Sequence, residues 1–149
     1  MYRVLIADDN LFMRKVIKDN LDKAGFEVVA EAANGREAIE QYKKYKPDIV
    51  FMDITMPEMN GIEAVREIKK GYCSASIVIC SAMGQAPMVI DAIRAGAVDF
   101  LVKPIDSKRL IETAIRVCSD LDKGVSESDI SKVLNQNAIN FDELRLAVM

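Results

Sequence analysis

Asp53-Ile54-Thr55-Met56-Pro57-Glu58-Met59-Asn60-Gly61 follows directly on the apolar run Ile49-Val50-Phe51-Met52, and the junction between them decides how the chain is read. The run is short, apolar and rich in β-branched residues, so it reads as a strand. Its lack of polar alternation points to burial on both faces, as in a parallel sheet covered by helices. Four further runs have the same character: Val4 to Ala7, Glu27 to Ala30, Ile77 to Cys80 and Phe100 to Val102.

Helical periodicity fills the intervals. Met13, Val16, Ile17 and Leu21 share one face of a segment over about 12–24 that Gly25 stops. Ala38, Ile39 and Tyr42 point inward from about 35–45, with Asn34 as N-cap and Pro47 beyond the end. Ile62, Val65 and Ile68 mark a third helix over about 61–70, and a fourth runs from about Pro87 to Ala95 and closes at Gly96. The fifth starts near Asp106 and Ser107 and carries Leu110, Ile111, Ala114, Ile115 and Cys118. This alternation predicts an α/β domain with a doubly wound five-stranded parallel sheet and five helices.

Composition narrows the chemistry. With 149 residues the chain is long enough for one full core, and a net charge of −3 with half the residues hydrophobic suits a soluble globular protein without a generally basic surface. The first apolar run reaches Asp8 and Asp9 too soon for a signal peptide or a membrane span, so a cytoplasmic protein is expected. Cys73, Cys80 and Cys118 match no zinc spacing and read as reduced thiols. The absence of histidine excludes Ser-His and Cys-His triads and imidazole acid-base chemistry.

In open α/β sheets ligands bind outside the carboxyl ends of the strands. Here the first strand ends in Asp8-Asp9, the third in Asp53, the fourth in Ser81 and the fifth in Lys103. Each residue alone has an ordinary reading as a cap, a turn or a solvated strand end. Together they place three carboxylates on one edge, where they would repel unless a cation neutralised them. Mg²⁺ suits such a set, because it takes a few carboxylates and completes its shell with water and phosphate oxygens. Lys103 and Ser81 can hold phosphoryl oxygens, which makes Asp53 the candidate nucleophile for phosphoryl transfer.

These residues carry a resemblance. Leu5-Ile6-Ala7-Asp8-Asp9, Asp53 to Gly61, Ser81-Ala82, Ala95-Gly96-Ala97 and Lys103-Pro104 resemble the receiver domains of two-component response regulators over about residues 3–120. The resemblance implies a flavodoxin-like strand order. It implies that Asp53 accepts a phosphoryl group from a histidine kinase, that Asp9, Asp53 and the Thr55 carbonyl ligate Mg²⁺ with Asp8 acting partly through water, and that Ser81, Ala82 and Lys103 engage the phosphate. It also implies that Ser81 and Phe100 act as switch residues, reshaping the surface of the fourth helix, fifth strand and fifth helix, although Phe100 by itself reads as a core aromatic. A cis Lys103-Pro104 bond is common in the family.

Cys80 to Gln85 followed by Met88-Val89-Ile90 looks more like the chemotaxis-type regulators than the DNA-binding branch. The expected partners are a histidine kinase, a downstream protein such as a flagellar motor component, and a phosphatase, with no membrane or nucleic acid for this chain alone. The expected chemistry is acceptance and slow hydrolysis of the phosphoryl group, not turnover of a substrate. The alternatives are the receiver half of a DNA-binding regulator and an aspartyl-phosphate phosphohydrolase; the latter usually has an acid where Thr55 stands. Residues 1–120 are expected to form the receiver and 121–149 a tail with one or two short helices. Leu134, Ile139, Phe141, Leu144, Leu146 and Val148 suggest that the tail docks.

Overall fold

The computed structural model describes residues 1–122. The chain alternates strand and helix throughout: β1 (Arg3–Ala7), α1 (Leu11–Lys23), β2 (Glu27–Ala32), α2 (Gly35–Tyr45), β3 (Ile49–Asp53), α3 (Gly61–Gly71), β4 (Ile77–Ser81), α4 (Ala86–Ala95), β5 (Asp99–Val102) and α5 (Ser107–Asp122). All strand pairs are parallel, in the order β2-β1-β3-β4-β5. The chain winds one way from β1 to β2 and then crosses to β3 on the opposite side of β1. That reversal opens a crevice at the carboxyl ends of β1 and β3, where Asp8, Asp9 and Asp53 lie.

The central strands explain the apolar runs. Leu5, Ala7, Val50, Met52, Ile77 and Ile79 face one core, whereas Val4, Ile6, Ile49, Phe51, Val78 and Cys80 face the other. The first core is closed by Ala38 and Tyr42 of α2, Val65 and Ile68 of α3, and Val89 and Ala92 of α4. The second is closed by Ile17 and Leu21 of α1 with Leu110, Ala114, Val117 and Cys118 of α5. Burial on both faces fixes strand register, because a slip of one residue would exchange the two cores.

Two expectations change. β2 is an edge strand whose Glu27 and Glu31 are exposed and whose single fully buried residue is Ala32, so the near-continuous burial of the inner strands does not extend to it. On α5, Ile115 is 53% exposed and Val117 is buried in its place. Leu110, Ala114, Val117 and Cys118 follow the i, i+4, i+7, i+8 stripe, and Ile115 falls off it. The short helices expected in the tail over 121–149, and its docking, lie outside the described residues.

Asparagine caps start the helices behind the crevice. The side chains of Asn10, Asn34 and Asn60 accept from the N–H groups of Met13, Glu37 and Glu63. Glu37 also reaches back to the Ala33 N–H at 2.9 Å. Each cap contributes about 1 kcal/mol and fixes where a strand-to-helix loop must end.

The loop after Asp53 is folded tightly onto the strand. Glu58 has φ +65° between Pro57 and Met59, whose carbonyl and N–H are joined at 2.7 Å, a strained γ-turn. Gly61 then donates to the Ile54 carbonyl at 2.8 Å. A Cβ on Gly61 would lie 2.2 Å from the Asp53 carbonyl oxygen and 3.1 Å from Ile54 Cα. Both obstacles are backbone and cannot step aside.

Gly61→Ala is therefore expected to destabilise the protein by about 2–3 kcal/mol in urea unfolding. Gly71→Ala, where a Cβ meets nothing within 4 Å, should be neutral or stabilising by roughly 0.5–1 kcal/mol.

Candidate functional site

Asp8 is 1% exposed and Asp53 6%, whereas Asp9 faces solvent at the rim of the crevice. One carboxylate oxygen from each of the three lies within 4.8 Å of the others. Lys103, delivered by the end of β5, holds the two buried acids: its Nζ is 3.0 Å from Asp8 Oδ2 and 3.2 Å from Asp53 Oδ2. The second Asp8 oxygen, Oδ1, accepts from the Asn10 N–H at 2.8 Å. Arg14 steadies the same turn, donating to the Asp8 carbonyl at 2.5 Å while its Nε pairs with Glu31 at 3.2 Å.

Ser81 closes the floor of the crevice. Its hydroxyl is fully buried and has no hydrogen-bond partner among the described residues, although its carbonyl accepts from the Lys103 N–H at 2.7 Å. A buried hydroxyl without a partner is costly, and here it stands beside the acids, where a ligand oxygen would satisfy it. Lys103-Pro104 is cis. Phe100 is 9% exposed and belongs to the buried cluster that includes Val89 and Ala92 of α4.

The charge balance states what the crevice accepts. Three carboxylates against one ammonium leave two negative charges uncompensated, and a divalent cation matches that deficit. All the donors are oxygens, and one of the three acids is open to water, which suits Mg²⁺ with its retained water ligands. The deficit is visible in protonation. Burial pushes the Asp53 carboxyl up to about 6; the Lys103 charge pulls it down, and Asp8 and Asp9 push it up further. Burial works to lower the Lys103 ammonium, but its hydrogen bond to Asp8 and the charges of Asp53 and Asp8 outweigh it, and the net shift is upward.

The residues singled out from the sequence come together with one exception. Asp8, Asp9, Asp53, Ser81 and Lys103 share the crevice, and Thr55 and Ala82 lie at its mouth on the loops that follow β3 and β4. Phe100 stands apart in the core beneath α4. Two participants had no role assigned from the sequence: Arg14, and Gln85, which closes the run from Cys80 and whose amide oxygen accepts from the Ala82 N–H at 2.7 Å while its amide nitrogen donates to Thr55 Oγ1 at 2.8 Å. A glutamine four residues beyond Ser81 gives no sequence signal of a bond that spans 30 residues.

The raised Asp53 pKa has a consequence for stability. The folded carboxyl keeps its proton at pH values where an ordinary aspartate, with a pKa of 3.8, has lost it. This group's favourable contribution is therefore complete below about pH 3.8 and lost as pH rises through about 6. Asp53→Asn, of the same shape without the charge, is expected to stabilise the metal-free protein at pH 7.5 by about 1–3 kcal/mol. In thermal unfolding with a chelator, that advantage should shrink towards zero as the pH is lowered to about 4.

The response regulator receiver domain family matches this chain over residues 4–115. The chemotaxis protein CheY of Thermotoga maritima is 61% identical over 115 residues, which cover 77% of this chain and 96% of that one. CheY of Bacillus subtilis is 61% identical over 111 residues, covering 74% and 92%. Among solved structures, the CheX-CheY-BeF3-Mg²⁺ complex from Borrelia burgdorferi superposes with a TM-score of 0.75 at 36% identity, covering 78% of this chain and 88% of that one. A LuxR-family response regulator from Aurantimonas superposes with a TM-score of 0.76 at 28% identity, covering 92% and 98%. The 61% identity to the two chemotaxis relatives is about twice the 28% identity to the LuxR-family regulator. On this sequence, fold and crevice, the chain belongs to the response regulator receiver domain family and is a phosphorylation-activated two-component switch of the chemotaxis type.

Proposed function

We propose that Asp53 is the phosphoacceptor and that Asp8, Asp9, Ser81, Ala82 and Lys103 serve the transfer around it. The observation that carries this reading is the position of the Asp53 carboxylate. It is buried at the end of the third strand, 3.2 Å from Lys103 Nζ and clustered with Asp8 and Asp9.

Mg²⁺ would be held by Asp9, Asp53 and the Thr55 carbonyl, with Asp8 in support, and when bound supplies charge neutralisation for an incoming phosphoryl group. An Asp53 oxygen attacks phosphorus in line as the phosphorus–nitrogen bond of a donor phosphohistidine breaks. The imidazole leaves with the bonding electrons. Lys103, now shared by Asp8 and Asp53, turns to a phosphoryl oxygen, and the unpartnered Ser81 hydroxyl and the Ala82 N–H take others. Satisfying Ser81 draws β4 and its loop towards the phosphate. Phe100, packed under α4, then transmits the change to the face formed by α4, β5 and α5.

The partner classes follow. A histidine kinase supplies the phosphoryl group, and a downstream protein of the chemotaxis machinery, such as a flagellar motor component, reads the α4-β5-α5 face. A phosphatase is the third partner class; that a receiver of this kind takes a further protein partner is supported by the Borrelia structure in which CheY is complexed with CheX. Leu11 and Phe12, 69% and 72% exposed just after the acid pair, and Met83, 60% exposed just after Ser81 and Ala82, give a protein partner an apolar rim to grip. The chain's own chemistry is limited to accepting the group and releasing it slowly to water. Residues 1–120 form the receiver and 121–149 an appended tail. No helix among the described residues is long and apolar enough to cross a membrane.

Incubation with Mg²⁺ and acetyl phosphate is expected to add one phosphate by mass spectrometry, and Asp53→Asn to abolish it. Undiminished labelling in the variant would remove Asp53 as the acceptor. Asp9→Ala should weaken Mg²⁺ binding by roughly tenfold or more, a loss of about 1.4 kcal/mol, with the far-UV circular dichroism unchanged. Unaltered affinity would remove Asp9 from the ligand set.

A further inference from the structure

We propose that the Gln85 side chain is a displaceable latch on the phosphoryl site, holding the Ala82 N–H until a phosphoryl oxygen on Asp53 takes it. The inference rests on the reading of Ala82 given above.

The amide of Gln85 bridges two loops. Its oxygen accepts from the Ala82 N–H at 2.7 Å and its nitrogen donates to Thr55 Oγ1 at 2.8 Å. Ala82 follows the buried Ser81, and Thr55 lies two residues beyond Asp53, so the amide spans the mouth of the crevice. Gln85 is also the residue that precedes α4, and its side chain makes no capping bond to that helix. The polar groups of its side chain are thus directed at the site rather than at the helix end beside it.

An amide oxygen and a phosphoryl oxygen are both acceptors, and a single N–H pointing at one is not available to the other. Phosphorylation must therefore exchange the Gln85 bond for a charge-assisted one, which is the stronger of the two. Because Ala82 is exposed, the N–H freed by removing Gln85 would meet only water. The latch costs the phosphorylated state about one net hydrogen bond, a factor of roughly three to ten in affinity. Thr55 acts through Gln85: its hydroxyl aims the amide, and its backbone carbonyl is not altered by side-chain replacement. Release also detaches the start of α4 from the loop that carries Thr55, which places the latch between the site and the first helix of the output face.

The test is calorimetric titration with beryllofluoride in saturating Mg²⁺, with wild type, Gln85→Ala, Thr55→Val and the double variant. Gln85→Ala is expected to bind roughly three- to tenfold more tightly. Thr55→Val should shift affinity less in the same direction, and the double variant should match Gln85→Ala alone, because the two residues act as one unit. In the ligand-free protein the Ala82 amide should move in the ¹⁵N–¹H spectrum of Gln85→Ala, a change that a general loss of stability would not confine to that residue. Unchanged or weaker binding by Gln85→Ala, or additive effects, would overturn the latch. Beryllofluoride binding that is unaffected by Asp53→Asn would instead overturn the site reading, and the latch with it.

Discussion

Like charges do not gather in a protein without a reason, and the mutual repulsion of Asp8, Asp9 and Asp53 is the constraint on which the rest of this structure depends. Two of the three acids are buried, so water cannot screen them. The apolar strands beneath supply the free energy that holds them together, and Lys103 reduces the repulsion without removing it. The incomplete compensation is what makes the crevice useful. A fully neutralised site would have no affinity for a divalent cation, and a site with no lysine would repel a phosphoryl group.

The same constraint links the site to the surface. Under the proposed transfer Lys103 cannot serve both carboxylates and a phosphoryl oxygen in its present position, and the Ser81 hydroxyl has no partner among the described residues to give up. One group must move and another is waiting to be satisfied. They sit at the ends of β5 and β4, the strands that flank α4 in the chain, so a local rearrangement of charge is aimed at one side of the molecule. The opposite side, with α1 and the Asn10-capped turn, is fixed by Arg14 and Glu31 and has less freedom to respond.

Much of the fold was legible because the central strands are so uniformly apolar that their ends are abrupt. The run from Ile49 stops at a charge, and the charge is Asp53. The helices were legible from their apolar stripes and the asparagine and glycine at their ends, to within a residue or two. What local sequence does not encode is which strand lies at an edge: β2 carries exposed glutamates because nothing pairs beyond it, a fact of strand order. On α5, Ile111 packs against the core as its spacing suggested, whereas Ile115 was read into the same inward row and is displaced by the stripe through Val117. Within the site, the acids, the hydroxyl and the lysine declared themselves by position at strand ends. Gln85 and Arg14 did not, because a long polar side chain on a loop or a helix surface looks the same whether it reaches a site or reaches water. The positive φ at Glu58 was equally silent, since the residue is not the glycine that such a turn would favour.

The Asp8–Lys103 ion pair joins residues 95 apart in the chain. As the protein leaves the ribosome the acid pair emerges first, Asp53 next and Lys103 only after a further 50 residues, and domains on this scale fold as units once their chain is available. A growing or prematurely ended chain would carry the acids without the cation that tames them. The last strand thus completes the charge balance of the crevice: until it is in place, Asp8 and Asp53 lack the ammonium that pairs with both, and under the proposed transfer an unfinished copy is without one of the groups that would hold the phosphoryl oxygens.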